Sequence, residues 1–314
     1  MTPSLITVIG RAFAGETRLP RGSTLIVAVS GGPDSMALLD VAHRVAPKLG
    51  ICLRAHGVDH GLRESASAEL ELAASFATSL GVPFDRTRVD VGRGSNLQAR
   101  ARKARYAALC TAARSAGAGA IATAHHADDR AETVLMRLLR GAGPRGLAAL
   151  SPRTPLEFEI ELVRPMLRAR RSDVLAHLAR HRISFASDPS NSDPRFLRAR
   201  VRHELLPLLE ELGPGIVRHL EAVADQLLAL RGKGQASSFP LPRATELLLH
   251  DLAESRSPTA RVWLPGGLVA AVVDDTKVGP RPRQRMAASR IDGYGEVTNA
   301  TFLQTRASDT TKMK

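Results

Sequence analysis

The sequence predicts an α/β protein, a parallel sheet flanked by helices and followed by a second, smaller helical domain. Three observations carry that expectation. From about residue 25 to 163, short apolar runs alternate with stretches of helical period, as crossover helices do between strands buried on both faces. The first run, Leu25 to Val29, passes through a glycine turn directly into helical spacing. After Pro165 the strand signal stops and helical spacing takes over.

Taken in order, Leu25 to Val29 is the first strand, and Leu38, Leu39, Val41 and Ala42 mark the helix after it. Cys52 to Val58 is the second strand, followed by Leu70, Ala73, Ala77 and Leu80 on one helical face. Val82 to Val91 reads as a third strand with a polar middle. Asn96 to Ala116 is a long helix that Gly117 and Gly119 can stop. Ile121 to Ala124 is a fourth strand, Ala127 to Arg140 a helix, and Glu159 to Val163 a fifth strand. Helices follow at Arg170–Arg182, Phe196–Leu212, Gly215–Arg231 and about 244–253, the last after a polar break at 232–238. The domains expected are a catalytic unit at 1–183, a helical unit at 184–256 and a short C-terminal segment at 257–314. From Asp274 onward apolar periodicity is poor, and the segment reads as a disordered or loosely held tail.

The 314 residues suffice for about two domains. Lys and Arg number 44 against 31 Asp and Glu, a formal charge of +13 with a pI near 10.9. Such an excess draws polyanions, nucleic acid first among them, although an arginine-rich composition without a partner gives the same count. Cys52 and Cys110 are the only cysteines. Each lies in an apolar stretch without a CxxC partner, so both are expected as small buried hydrophobes. No signal segment and no run of about 18 apolar residues is present, so a soluble, cytoplasmic protein without a membrane partner is expected.

Two constellations carry chemistry. Ser30-Gly31-Gly32-Pro33-Asp34-Ser35 joins the first strand to its helix. Glycines there let backbone N–H groups approach an anion, and the helix N-terminus adds unpaired donors. Asp34 offers a carboxylate to a magnesium ion. The plain alternative is a turn with Asp34 or Ser35 as N-cap. The string is not a GxxxxGK(S/T) loop.

The second constellation, His125-His126-Ala127-Asp128-Asp129-Arg130-Ala131-Glu132-Thr133, begins where the fourth strand ends. His125 and Asp129 are four apart, Asp128 and Glu132 four, and Asp129 and Glu132 three, so one side of a helix start gathers them. Capping explains one acid but not three with two histidines. A site for a cationic substrate, with a carboxylate or histidine to take its proton, fits better than a transition-metal site.

Ser-Gly-Gly-x-Asp-Ser after a first strand resembles the PP-loop of the N-type ATP pyrophosphatases, whose Rossmann-like fold is of the adenine nucleotide alpha hydrolase type. The stretch from Ala124 through Arg140-Gly141-Ala142-Gly143-Pro144-Arg145-Gly146-Leu147 closely resembles tRNA(Ile)-lysidine synthetases. Asp59-His60-Gly61-Leu62-Arg63, Ala101-Arg102 with Arg105-Tyr106, Arg164-Pro165, Asp188-Pro189-Ser190-Asn191 and Arg202 to Pro207 extend the resemblance over about residues 24–231.

That resemblance implies a ligase. ATP would adenylate O2 of the wobble cytidine in a CAU-anticodon tRNA(Ile), and the ε-amine of free L-lysine would displace AMP to give lysidine. By the same resemblance Ser30 to Ser35, with Asp59 and His60 nearby, hold ATP, and Asp34 holds Mg2+. His126, Asp128, Asp129, Glu132 and Thr133 bind lysine's amines, while Asp34, Asp129, His125 and Arg105 carry the reaction.

Arg102 and Arg105 would meet phosphates or the adenylated base, or form a solvated helix face. Arg140 and Gly141 open a glycine-rich loop over the site, which is also an ordinary connection. Arginines between Arg195 and Arg202 grip tRNA or decorate a surface. Gln98 stands where the family usually has Glu, and Ala199 where it has Asn, and the distal domain of longer members is not recognisable.

Two isolated cysteines disfavour the rival tRNA thiolation chemistry, basic charge disfavours an amide-forming pyrophosphatase, and intact acids disfavour a non-enzymatic RNA-binding scaffold. The sequence leaves room for a homodimer.

Overall fold

Strand β1 (Thr24–Val29) lies at the centre of a six-stranded sheet of order β3-β2-β1-β4-β6-β5 in the computed structural model. The structure describes residues 3–61, 65–92, 97–157, 159–186, 193, 195–232 and four strands within 261–302. Beside β1 run β2 (Cys52–Asp59) and β4 (Ala118–Ala122), both parallel to it. β3 (Phe84–Arg88) and β6 (Ile160–Val163) extend the parallel set outward.

The edge strand β5 (Arg153–Glu157) is antiparallel to β6 and is absent from the sequence expectation. Its alternating Arg153, Pro155 and Glu157 give no apolar run, and it is ordered by pairing with β6 and by Leu156 packing on the core beside α4. The fourth strand begins three residues earlier than expected, because Ala118 to Ala122 take up the register of β1 while residues 123–126 leave the sheet.

Alternation along β1 divides two cores. Leu25, Val27 and Val29 face α1 (Leu5–Ala14), α2 (Pro33–Leu49) and α7 (Arg171–His181), where Ile9, Leu38, Met166 and Val174 are buried. Ile26 faces α4 (Leu97–Ser115), with Leu109, Cys110, Ile121 and Leu162. Burying each such side chain contributes about 1.5–3 kcal/mol. The unanticipated α1 is legible in retrospect: Ser4 Oγ caps it from Thr7 N at 3.3 Å, and Leu5, Ile9, Ala12 and Phe13 share one buried face. Cys110 is buried as expected, but Cys52 is exposed because it opens β2 at the sheet's rim.

Beyond the sheet, α8 (Leu197–Arg200) and α9 (Leu206–Leu212) are joined by a π-helical turn, Val201–Leu205, where one continuous helix was expected. Pro207 has no N–H for the carbonyl of His203, and its ring crowds that oxygen, so a wider turn precedes it. Val201, Leu206 and Val217 pack on Ala127, Ala131 and Leu135 of α5 (Ala127–Leu138). Fully buried Arg130 on α5 reaches Asp225 of α10 (Ile216–Gly232) at 2.7 Å. The chain divides into units Met1–Ala236 and Ser237–Lys314.

In the second unit, β7 (Arg261–Leu264), β8 (Leu268–Asp275), β9 (Arg283–Ile291) and β10 (Val297–Phe302) form an antiparallel sheet. The end of β8 and strands β9 and β10 fall in the stretch from Asp274 onward. Strands such as Arg283–Ile291 carry little apolar periodicity of their own and take their order from backbone pairing with neighbours. The helix expected near 244–253 lies outside the described residues, as do Leu62, Arg63 and 188–191. Among the described residues, no helix is long and apolar enough to cross a membrane.

Candidate active site

The chain runs from β1 outward through β2 and β3, then returns to place β4 on the other side of β1. That reversal opens a crevice at the carboxyl ends of β1 and β4, where open α/β sheets bind ligands. Both constellations read from the sequence lie there.

Gly31 has φ +78, and a Cβ there would stand 2.3 Å from Glu69 O, so both conformation and space require glycine. Ser35 Oγ accepts from Ser30 N at 3.1 Å and donates to Gly32 O at 2.9 Å, which folds the loop back on the helix start. Gly32, rather than Asp34 or Ser35, is the N-cap of α2, and no side chain caps it. With Pro33 in the first turn, the open end of the helix presents N–H groups to an anion.

Asp34 leans across the crevice to 3.7 Å from His126 Nε2 and 3.8 Å from Arg171 Nη1. Burial pushes its carboxyl above the ordinary value, with Asp129 adding to the rise and His126 and Arg171 opposing it. Its Oδ1 is buried without a hydrogen-bond partner among the described residues. One carboxylate with a free oxygen beside a phosphate cradle fits magnesium, which takes one or two carboxylates and fills its shell with phosphate and water. No group of three or more His, Cys, Asp or Glu gathers for a metal among the described residues.

Opposite stands the start of α5. His126 is fully buried and is its N-cap: Nδ1 accepts from Asp129 N at 3.3 Å, while Asp129 Oδ2 accepts from His126 N at 3.1 Å. Asp129 sits below the ordinary carboxylate value, since burial, which would raise it, is outweighed by His126, Arg198, His125 and the backbone N–H. Thr133 Oγ1 donates to Asp129 O at 2.7 Å.

His125 bonds Thr123 Oγ1 at 2.9 Å, and burial together with Arg164, Arg102 and Arg198 holds its imidazole down at about 4 against the pull of Asp129. It is therefore neutral at physiological pH. Asp59 Oδ1 accepts from Gly61 N at 2.8 Å, and His60 Nε2 accepts from Arg105 Nε at 3.1 Å. Arg140 and Gly141 (φ +73) are exposed beyond α5.

The sequence did not foresee what holds the acids. Arg198 reaches Asp129 Oδ1 at 2.6 Å and Glu132 Oε2 at 2.7 Å, and Arg202 reaches Glu132 Oε1 at 2.6 Å. Asp128 accepts from Arg170 Nε at 3.1 Å and from Arg171 N at 2.8 Å. Arg170 and Arg171 open a helix, where the dipole disfavours cations, and that misplacement is the signal that could have pointed to acid partners.

On the other side, Arg102 stacks on Tyr106 at 4.9 Å to the ring centre. Arg137 Nη1 donates to Gly146 O at 2.6 Å, and buried Arg164 to Ser151 O at 2.6 Å and Thr154 Oγ1 at 2.8 Å.

A sheet reversal with an uncapped glycine loop on one wall and a carboxylate-bearing helix start on the other defines a PP-loop nucleotide-binding protein. The PP-loop domain family matches residues 8–209. A tRNA(Ile)-lysidine synthase of Thermobifida fusca is 46% identical over 215 residues, which cover 67% of this chain and 64% of that protein. The one from Novosphingobium aromaticivorans is 40% identical over 229 residues, 72% of this chain and 69% of that protein. The chain belongs to the tRNA(Ile)-lysidine synthase family and spans about two thirds of the length of these relatives. A tRNA thiolase from Methanococcus maripaludis shares the fold at TM-score 0.58 and 19% identity, over 70% of this chain and 79% of its own.

Proposed function

We propose that the protein joins L-lysine to the wobble cytidine of a CAU-anticodon tRNA(Ile) at the expense of ATP. The observation that carries this reading is the juxtaposition at the β1–β4 crevice. The uncapped loop and Asp34 stand on one side, and the acids of α5 stand on the other, with Asp34 Oδ1 and His126 Nε2 3.7 Å apart.

In the first step, cytidine O2 attacks the α-phosphorus of ATP and pyrophosphate leaves. The loop from Ser30 to Ser35 would hold the phosphates. Magnesium, when bound, neutralises phosphate charge, and Asp34 Oδ1 is the oxygen positioned to hold it. In the second step, lysine's ε-amine attacks C2, AMP leaves, and the amine's proton passes to the protein. Neutral His125 and Asp129 are the candidates to receive it.

Asp129 and Glu132 already hold two cations of the chain's own, the guanidinium groups of Arg198 and Arg202. The chemistry that satisfies those guanidiniums is the chemistry an ammonium needs, so lysine is read as sharing or taking their place. His126 and Asp128 serve this site from behind, as cap and as anchor of α7, and Arg102 and Arg105 line the side open to RNA.

Labelled lysine offered to a CAU-anticodon transcript with ATP and magnesium tests the proposal. Incorporation that depends on ATP and is lost in Asp34→Ala is expected. Pyrophosphate exchange with no lysine transfer would keep the adenylating site and remove the lysidine assignment.

A further inference from the structure

Every arginine on the α7–α9 side of the crevice that faces α5 meets a carboxylate. Four on the α4 side do not: among the described residues, Arg102, Arg105, Arg137 and Arg164 form no ion pair with an acid. The crossover helix α4 runs antiparallel to the strands, so its N-terminal half, with Arg102 and Arg105, lies at their carboxyl ends. Arg164 leaves the end of β6 beside it, and Arg137 faces them from the last turn of α5.

These cations feel one another. Burial disfavours the charged forms of Arg105, Arg137 and Arg164, and Arg102 adds to this at each, with Tyr106 opposing it at Arg105 and Arg164. Guanidinium groups do not shed their protons in this range. The cluster therefore carries desolvation and mutual repulsion that an anion would offset.

We propose that Arg102, Arg105 and Arg137 bind a backbone phosphodiester of the RNA strand beside the reacting base, with buried Arg164 as the residue that positions Tyr106 and Arg102. The inference rests on the RNA reading above and deepens it. Three features favour RNA over the triphosphate of ATP. The nucleotide's phosphates have their own cradle at Gly31 and Gly32, on the α2 side of the sheet. Arg102 lies over the Tyr106 ring, 4.9 Å from its centre, and a guanidinium held there can receive phosphate oxygens in pairs. Arg137 also holds Gly146 O, so binding there ties the 141–146 loop to the strand it would cover.

The test measures binding of a fluorescent anticodon stem–loop transcript without ATP across a salt series. ATP affinity is measured separately, and melting temperatures are recorded for each variant. Arg137→Gln is expected to weaken RNA binding about tenfold and to lower the salt slope by about one, with ATP affinity unchanged. Arg137→Lys keeps the charge and restores the slope, which separates phosphate binding from loss of the Gly146 contact.

A folded Arg137→Gln with wild-type RNA affinity and slope overturns the site. So does weakened ATP binding with RNA unchanged, which would assign the cluster to the nucleotide. If the arginine effects appear but no lysine is incorporated, the phosphate site stands and the lysidine reading falls.

Discussion

The two walls of the crevice both carry arginines, yet they solve the problem of burying charge in opposite ways. On the α7–α9 wall, Arg170, Arg198 and Arg202 are matched by Asp128, Asp129 and Glu132. On the α4 wall, Arg102, Arg105, Arg137 and Arg164 meet carbonyls, an imidazole and an aromatic ring, and no acid among the described residues. Paired charge organises structure, and unpaired charge waits for a ligand. Removing a charge should therefore destabilise the first wall and not the second.

The largest effect is expected at Glu132, whose side chain is 1% exposed between two guanidiniums. Glu132→Ala strands Arg198 and Arg202 and should lower stability by about 3 kcal/mol, the low end for a broken buried pair because Arg198 is half exposed. Denaturant unfolding checks it. A loss under about 1 kcal/mol would mean the acid-paired wall is not a structural unit.

Asp34 should behave in the contrary sense. Its carboxyl is raised by burial, so its contribution to stability is full below the unfolded value near 3.8 and is lost as pH rises through the folded one. Asp34→Asn should leave the protein as stable or more stable at pH 7, while pyrophosphate exchange falls about 10²–10³-fold. An Asn variant that unfolds more easily would make Asp34 a structural residue.

Behind the paired wall, α7 is pinned by Asp40, which accepts from Arg44 at 2.7 Å and bonds His177 at 2.8 Å. Burial would raise the Asp40 carboxyl, but His177 and Arg44 hold it down at about 2. A depressed carboxylate gives stability that is present above pH 3.8 and lost as pH falls toward 2. Asp40→Asn should remove about 1–2 kcal/mol near neutrality, allowing for the exposed Arg44, and should flatten the acid limb of stability between pH 4 and 2. An unchanged acid limb would locate the pH sensitivity elsewhere.

The smallest effect is expected at Arg102 on the unpaired wall. Arg102→Gln should weaken RNA binding about tenfold with no loss of melting temperature. It should also let the His125 imidazole rise from about 4, because Arg102 is one of the cations holding it down. The acid limb of the pH–rate profile would then move upward.

How much of this was legible beforehand depended on whether a feature is local in the chain. Leu25 to Val29 and the turn from Ser30 to Ser35 are contiguous, so their strand, loop and helix start could be read directly. The capping relation of His126 and Asp129 spans three residues and was visible as clustering, although not as a cap. The edge strand β5 was missed because Arg153 to Glu157 has no pattern apart from its neighbour. The four strands after residue 260 show the same limit, since antiparallel pairing supplies what composition lacks.

The sequence by itself determined the alternation that builds the parallel sheet, the glycine at position 31, and the gathering of three acids on one turn of α5. All of these follow from side-chain period and backbone sterics within a few residues. Only the tertiary structure decided which charges meet. Arg198 and Arg202 lie some seventy positions from Glu132 in the chain, and Arg171 could be set against Asp34 only by the packing of α7 on α2. Coulombic pairing depends on distance in space, and a sequence records separation only along the chain.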